Sequence, residues 1–241
     1  MEKVLIIIPA YNEEENIVST CTKITEYNKN NEKKFDFIVV NDCSKDNTLK
    51  LCKEHNFQVI DLVHNLGIGG AVQTGYKYAY EHGYDVAVQF DGDGQHDINY
   101  VKDIVMQVTS GKYDMAIGSR FIDDKSSEFK SSTARRAGIK LISFFIKLFT
   151  GKKIYDTTSG FRAINKDLIK YFSSNYPAEY PEPVSEVMLL MNGFTITEVP
   201  VSMNERVGGV SSIRKWKNVY YMINVILSIF VVRLRGKKNV R

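Results

Sequence analysis

At 241 residues the chain is long enough for one α/β domain with a sizeable core, or for such a domain with a short appendage. Its 44% hydrophobic and 25% charged residues, free of low-complexity tracts and internal repeats, exclude a largely disordered or solenoid chain. A formal net charge of +4, with the basic residues gathered near the C-terminus, argues against nucleic-acid binding.

Lys3 to Ile8 reads as a buried parallel strand that stops at Pro9. Similar runs at Phe35–Val40, Val59–Leu62, Asp85–Phe90 and Tyr113–Ile117 alternate with segments of helical spacing, which predicts a doubly wound, mostly parallel α/β sheet flanked by helices. Ligands of such sheets sit beyond the carboxyl ends of the strands. That rule singles out Tyr11-Asn12-Glu13, Asn41-Asp42 and Asp91-Gly92-Asp93-Gly94-Gln95-His96. Asn65 to Gly70 follows the third strand instead of the first, so its glycines suit close helix packing better than a dinucleotide turn. Cys21, Cys43 and Cys52 are odd in number and lack metal-ligand spacing; with no signal-peptide pattern, they predict reduced thiols in the cytoplasm.

Beyond Arg120 a polar stretch, Asp123 to Thr133, leads into a helix over Ala134–Phe149. Tyr176 to Pro183, with three of the five prolines, is expected to be irregular, ahead of a helix near Val184–Met191 and a strand near Thr195–Val199. Glu205 to Ser212 reads as a loop in which Gly208-Gly209 supplies backbone freedom and Arg206 a fixed positive charge, the makings of an ordering lid. Tyr220 to Val232 is an apolar helix followed by basic residues. Its thirteen residues reach only about 20 Å, short of the roughly 30 Å of bilayer hydrocarbon, so it predicts attachment to a membrane surface or partner, or packing on its own domain. The division expected is a domain over 1–212 and a C-terminal helix with basic tail over 213–241.

Asp91 and Asp93, one glycine apart after a buried strand, suit a hard divalent cation bridging phosphates, with Gln95 as a further oxygen donor; an isolated Asp-Gly-Asp also fits a solvated turn. The complete pattern is more specific. Ile8-Pro9-Ala10-Tyr11-Asn12-Glu13-Glu14, Val40-Asn41-Asp42 through Thr48, Asp91 through His96, Gly118-Ser119-Arg120-Phe121 and Thr158-Ser159-Gly160-Phe161-Arg162, in that order, resemble the family 2 glycosyltransferases of GT-A fold, especially their dolichol-phosphate-mannose-synthase-like branch.

The resemblance implies transfer of a sugar, with inversion, from a nucleotide-diphosphate sugar, aided by Mg2+ or Mn2+. It places Pro9, Tyr11, Glu13, Asp42 and Asp91 around the donor, and Asp91, Asp93 and Gln95 at the metal. Asn41 departs from the family's common double aspartate.

Two acceptors make different demands. A hydroxyl of a lipid-linked saccharide needs a base, for which Glu182 and Glu186 are candidates, Glu186 being expected to open a helix. A polyprenyl phosphate needs cations instead, and Arg120, Ser132, Arg135, Arg136 and Arg206 lie in the segments that resemble the acceptor-facing motifs. The favoured reading is a peripheral enzyme at the inner face of a membrane, making a lipid-linked sugar for a cell-surface glycan, with a small membrane-protein partner or a homo-oligomer both allowed. A nucleotidyltransferase and a non-catalytic sugar-nucleotide-binding scaffold are the rivals from other classes.

Overall fold

A computed structural model describes residues 2–122, 133–204 and 215–236, with the side chains of 133–135 and 215–220 left out of the description. The expected alternation opens the chain as β1 (Val4–Ala10), α1 (Ile17–Asn30), β2 (Asp36–Asn41), α2 (Thr48–Glu54), β3 (Val59–Asp61), α3 (Gly67–Glu81) and β4 (Val86–Gln89). It continues with α4 (Val101–Thr109), β5 (Met115–Ser119), α5 (Thr133–Thr150), β6 (Arg162–Asn165), α6 (Lys166–Asn175), α7 (Pro181–Met191), β7 (Ile196–Pro200) and α8 (Lys215–Arg235).

The strands form one sheet in the order β3-β2-β1-β4-β6-β5-β7, parallel throughout except for β6, which runs antiparallel to both neighbours. Side chains alternate across the sheet and divide the core in two. Leu5 and Ile7 of β1 pack on one face with Val72 and Tyr76 of α3, Ile142 of α5, Phe172 of α6 and Val187 of α7. Ile6 and Ile8 pack on the other with Ile17 and Cys21 of α1 and Ile104 of α4. The predicted mostly parallel sheet flanked by helices is therefore the architecture observed.

Several expected boundaries shift for identifiable reasons. β1 does not stop at Pro9 but runs on to Ala10. The Ile7 carbonyl accepts from Phe90 N, so the odd-numbered backbone groups face β4; the N–H that Pro9 lacks closes only that ladder, while the Ala10 carbonyl still accepts from Asp42 N on the other side. The helix expected near Val184 starts earlier, with Pro181 in its first turn, where a missing N–H has no intrahelical partner to lose. Glu182 thus occupies the first turn, and Glu186 lies one turn deeper instead of opening the helix as expected. β6 and α6 were not foreseen: four residues beginning with an arginine carry no apolar run, and only pairing with β4 and β5 makes them a strand.

The small residues after β3 serve packing, as expected. A Cβ on Gly69 would collide with the carbonyl oxygens of Pro177 and Ala178, so α3 can approach that loop only with glycine there. The C-terminal helix is longer than the expected Tyr220–Val232 and packs on its own domain, against α5 and α7, with Val225 and Ile229 fully buried. Among the described residues no helix is long and apolar enough to cross a membrane.

Candidate active site

The polar residues singled out after the strands converge along the carboxyl ends of β1, β2 and β4, three neighbours in the sheet. The first two loops are interlocked. Asn12, at φ 55°, donates from its backbone to Ser44 Oγ at 3.0 Å and accepts from Lys45 N at 2.8 Å, while Glu13 N and Glu14 N donate to Thr48 Oγ1 and Asp46 Oδ2. This lacing leaves the Tyr11 ring 44% exposed at the mouth of the site.

Asp42 is buried, and its Oδ1 accepts from Leu66 N at 2.6 Å. Burial pushes its carboxyl up, with the backbone N–H groups of Leu66 and Gly67 pulling back. Asn41, the departure from the double aspartate, has a local cause: it pairs in register with Asp61 of β3 and donates to Asp61 Oδ1 at 2.7 Å. An aspartate at that position would set two carboxylates against each other.

Asp91 is held from both sides. Gln89 Nε2 lies 3.4 Å from Oδ1, and His96 Nε2 lies 3.2 Å from Oδ2. His96 is buried between Phe90 and Phe161, with ring centroids 5.3 and 4.9 Å away. Beneath the carboxylate is Gly160, where a Cβ would sit 2.5 Å from Asp91 Oδ2. Burial acts to raise the Asp91 carboxyl, but His96, Gln89 and the charge of Arg120 outweigh it and keep it below the usual carboxylate range. Asp93 Oδ1 accepts from Gln95 N at 3.1 Å, and Asn204 N donates to Gln95 O at 2.8 Å, so the strand end after β7 docks on this same loop.

The later candidates are arranged differently. Arg162 of β6 is fully buried and donates to Ser159 O, to Glu182 O and Ser185 Oγ, and to Glu186 Oε1 at 2.7 Å. Glu186 is 0% exposed; burial raises its carboxyl to about 8 against the pull of Arg162. Burial also raises Glu182, which stands close enough to Gln89 and Asp91 for both to act on it. Arg120, a candidate for the acceptor phosphate, is buried and grips Asp156 with a fork of two 2.7 Å bonds, with Thr158 Oγ1 at 3.1 Å. Arg136 lies exposed on α5. Ser132 and Arg206, with the expected lid, fall outside the described residues, as does the side chain of Arg135.

Chain comparison decides the family. Residues 5–172 match the model of glycosyl transferase family 2. The chain is a family 2 glycosyltransferase. It is 35% identical over 218 residues to the UDP-N-acetylglucosamine–dolichyl-phosphate N-acetylglucosaminyltransferase of Methanococcus voltae, covering 82% of this chain and 84% of that one. To the polyprenol monophosphomannose synthase of Mycolicibacterium smegmatis it is 28% identical, over 87% and 80% of the two chains.

Among solved structures, the glucosyl-3-phosphoglycerate synthase of Mycobacterium tuberculosis with Mn2+, UDP-glucose and phosphoglyceric acid aligns with a TM-score of 0.70 at 16% identity, over 96% and 80% of the chains. The mannosyl-3-phosphoglycerate synthase of Rubrobacter xylanophilus gives 0.71 at 13%, over 97% and 74%. At those identities the likeness is one of fold.

Within this glycosyltransferase, the sequence motifs mark the carboxylates but not the groups that orient them. Gln89 carries a usable signal, a polar side chain at the end of the apolar run Val86-Ala87-Val88; His96 and Gly160 lie inside the Asp91–His96 and Thr158–Arg162 motifs, where nothing local assigns them to Asp91.

Proposed function

We propose that this glycosyltransferase moves a sugar from a nucleotide-diphosphate sugar to a polyprenyl phosphate at the inner face of a membrane, for use in a cell-surface glycan or glycoconjugate. The observation that carries this reading is the 35% identity, over more than four-fifths of both chains, to an enzyme named for a UDP-sugar donor and a dolichyl-phosphate acceptor.

The donor lies over the carboxyl ends of β1, β2 and β4, with Pro9, Tyr11, Glu13 and Asp42 around its nucleotide and Asp91 at its diphosphate. Asp91, partly exposed and ionised, and Asp93 fit a hard divalent cation, because both offer oxygen donors and two carboxylates leave coordination positions for phosphate oxygens. Asp91, Asp93 and Gln95 would hold Mg2+ or Mn2+, which neutralises charge on the departing diphosphate. Gln89, His96 and Gly160 keep the Asp91 carboxylate aimed, so that little reorganisation is needed when the donor arrives.

An acceptor phosphate oxygen then attacks the anomeric carbon with inversion as the bond to the diphosphate breaks and the nucleoside diphosphate leaves. A phosphate monoester, with a second pKa of roughly 6, is already ionised near neutral pH and needs no protein base. That suits a chain in which Glu186 is fully buried against Arg162. Arg120, Ser132, Arg135, Arg136 and Arg206 are the candidates to meet the acceptor phosphate.

One observation favours transfer to a saccharide hydroxyl as the second reading: Glu182, in the first turn of α7, has its carboxyl raised by burial and lies within electrostatic reach of Asp91, as a base would. The deciding experiment offers a panel of nucleotide sugars with polyprenyl phosphate and Mn2+ or Mg2+, followed by mass analysis of the lipid. A glycosyl phosphate lipid supports the first reading. Turnover only on saccharide hydroxyls, abolished in Glu182→Gln, replaces it with the second.

A further inference from the structure

α5 and α8 lie side by side on one face of the molecule. A Cβ on Gly138 would meet Met222, and the Phe149 and Phe230 rings touch with centroids 5.2 Å apart, so the two helices run in the same direction along a shared seam. Their core faces are ordinary: Ile139, Ile142 and Ile146 on one, Val225 and Ile229 on the other.

Their outer faces are not, since a surface helix normally turns charge to solvent opposite its apolar stripe. On α5, Leu141, Phe144 and Leu148 follow one another at helical spacing and are 45, 58 and 61% exposed. On α8, Ile223, Leu227 and Leu234 do the same at 53, 57 and 78%. At about 3.6 residues per turn, each stripe borders the seam on its solvent side, so the two join into one apolar strip.

Charge says what covers it. Neither helix contains an acidic residue, and together they carry eight lysines and arginines in a chain of net charge +4, so everything outside them is net acidic. Lys140 and Lys147 are exposed on the flank of α5, and Arg233 and Arg235 near the end of α8. A second copy docked strip to strip would bring basic rim against basic rim, whereas anionic headgroups complement it. The helix that carries the second stripe also reaches the site from its inner side: Tyr180, two residues before Glu182, packs its ring on Tyr221 of α8 with centroids 5.0 Å apart.

We propose that the α5–α8 face seats the protein on an anionic bilayer, both helices lying along its surface, so that the phosphate of a bilayer-embedded acceptor is presented at the edge of the active site. This rests on the lipid-phosphate reading above for its purpose, but not for its test.

The experiment compares the full chain with Phe144→Asp/Leu227→Asp and with Lys140→Glu/Lys147→Glu/Arg235→Glu, all at exposed positions. Sedimentation with phosphatidylcholine vesicles, with and without phosphatidylglycerol, reads binding; a thermal melt reads folding. The unaltered chain should bind the phosphatidylglycerol vesicles and lose binding as salt rises. Both variants should bind at least tenfold more weakly at an unchanged melting temperature. Turnover on polyprenyl phosphate in those vesicles should fall with binding, while turnover on a short, water-soluble prenyl phosphate stays the same. Equal vesicle binding by the three proteins, no binding by any, or a dimer that Phe144→Asp/Leu227→Asp converts to monomer would overturn the proposal. Vesicle binding without turnover on either prenyl phosphate would leave the surface standing and overturn the acceptor assignment instead.

Discussion

The two sides of the sheet handle charge in opposite ways. Along β2, β1 and β4, Asp42, Asp91 and Asp93 stand at strand ends and take their contacts from backbone N–H groups, an amide and an imidazole. Along β6, β5 and β7, Arg120–Asp156 and Arg162–Glu186 are closed pairs at 2.7 Å within the protein. A carboxylate held by backbone N–H groups, an amide and an imidazole at a strand end keeps oxygen lone pairs for an incoming ligand. A carboxylate paired to a buried guanidinium has already been neutralised, and its desolvation offsets much of the attraction, so such a pair shapes the scaffold more than it stabilises it.

Breaking a closed pair should have the largest effect. Arg162→Met removes the buried donor shared by Ser159 O, Glu182 O, Ser185 Oγ and Glu186 Oε1 and is expected to cost about 3–5 kcal/mol of stability, read as a lowered denaturant midpoint; an unchanged midpoint would mean the pair contributes no constraint. On the open side the fold should survive and turnover should not. Asp93→Ala is expected to lower kcat on the order of 100-fold or more, at an unaltered melting temperature, because it deletes a charge-stabilising group in a loop; near-normal rates at saturating metal and donor would remove Asp93 from the site.

Gly160→Ala tests whether the orientation of Asp91 matters as well as its presence. The added methyl falls on the carboxylate, and Mn2+ and donor affinity measured by calorimetry should drop roughly 10–100-fold; affinity equal to that of the unaltered chain would show that the carboxylate tolerates displacement.

The smallest change in rate is expected from Glu186→Gln, within about threefold of the unaltered chain under phosphate attack. Its signature is in stability instead. From its ordinary value of 4.5 up to about 8, the folded chain keeps a proton on Glu186 that the unfolded chain has released, so stability falls as pH rises through that window. Glu186→Gln should flatten this slope in denaturation curves taken across it; a slope that persists would assign the titration elsewhere.

The contrast between the two sides also governs what could be read in advance. From Val4 to Ser119 the apolar runs, their spacing and the polar residues after them depend on local burial and on the turn from strand to helix, both written in consecutive residues. Strand order aside, that half of the fold and its carboxylates were legible. The amino-acid sequence by itself determined the alternating α/β class, the motif order that marks family 2 and the position of Asp91 and Asp93 at a strand end. Only the tertiary structure decided that β6 is a strand, that Arg120 and Arg162 face carboxylates 36 and 24 residues away, and that Glu186 is enclosed instead of opening α7. It also decided that Gln89, His96 and Gly160 surround one carboxylate, and that α5 and α8 align their apolar stripes. Each of these is a pairing between segments distant along the chain, set by how elements dock and not by local periodicity, so no window of consecutive residues contains it.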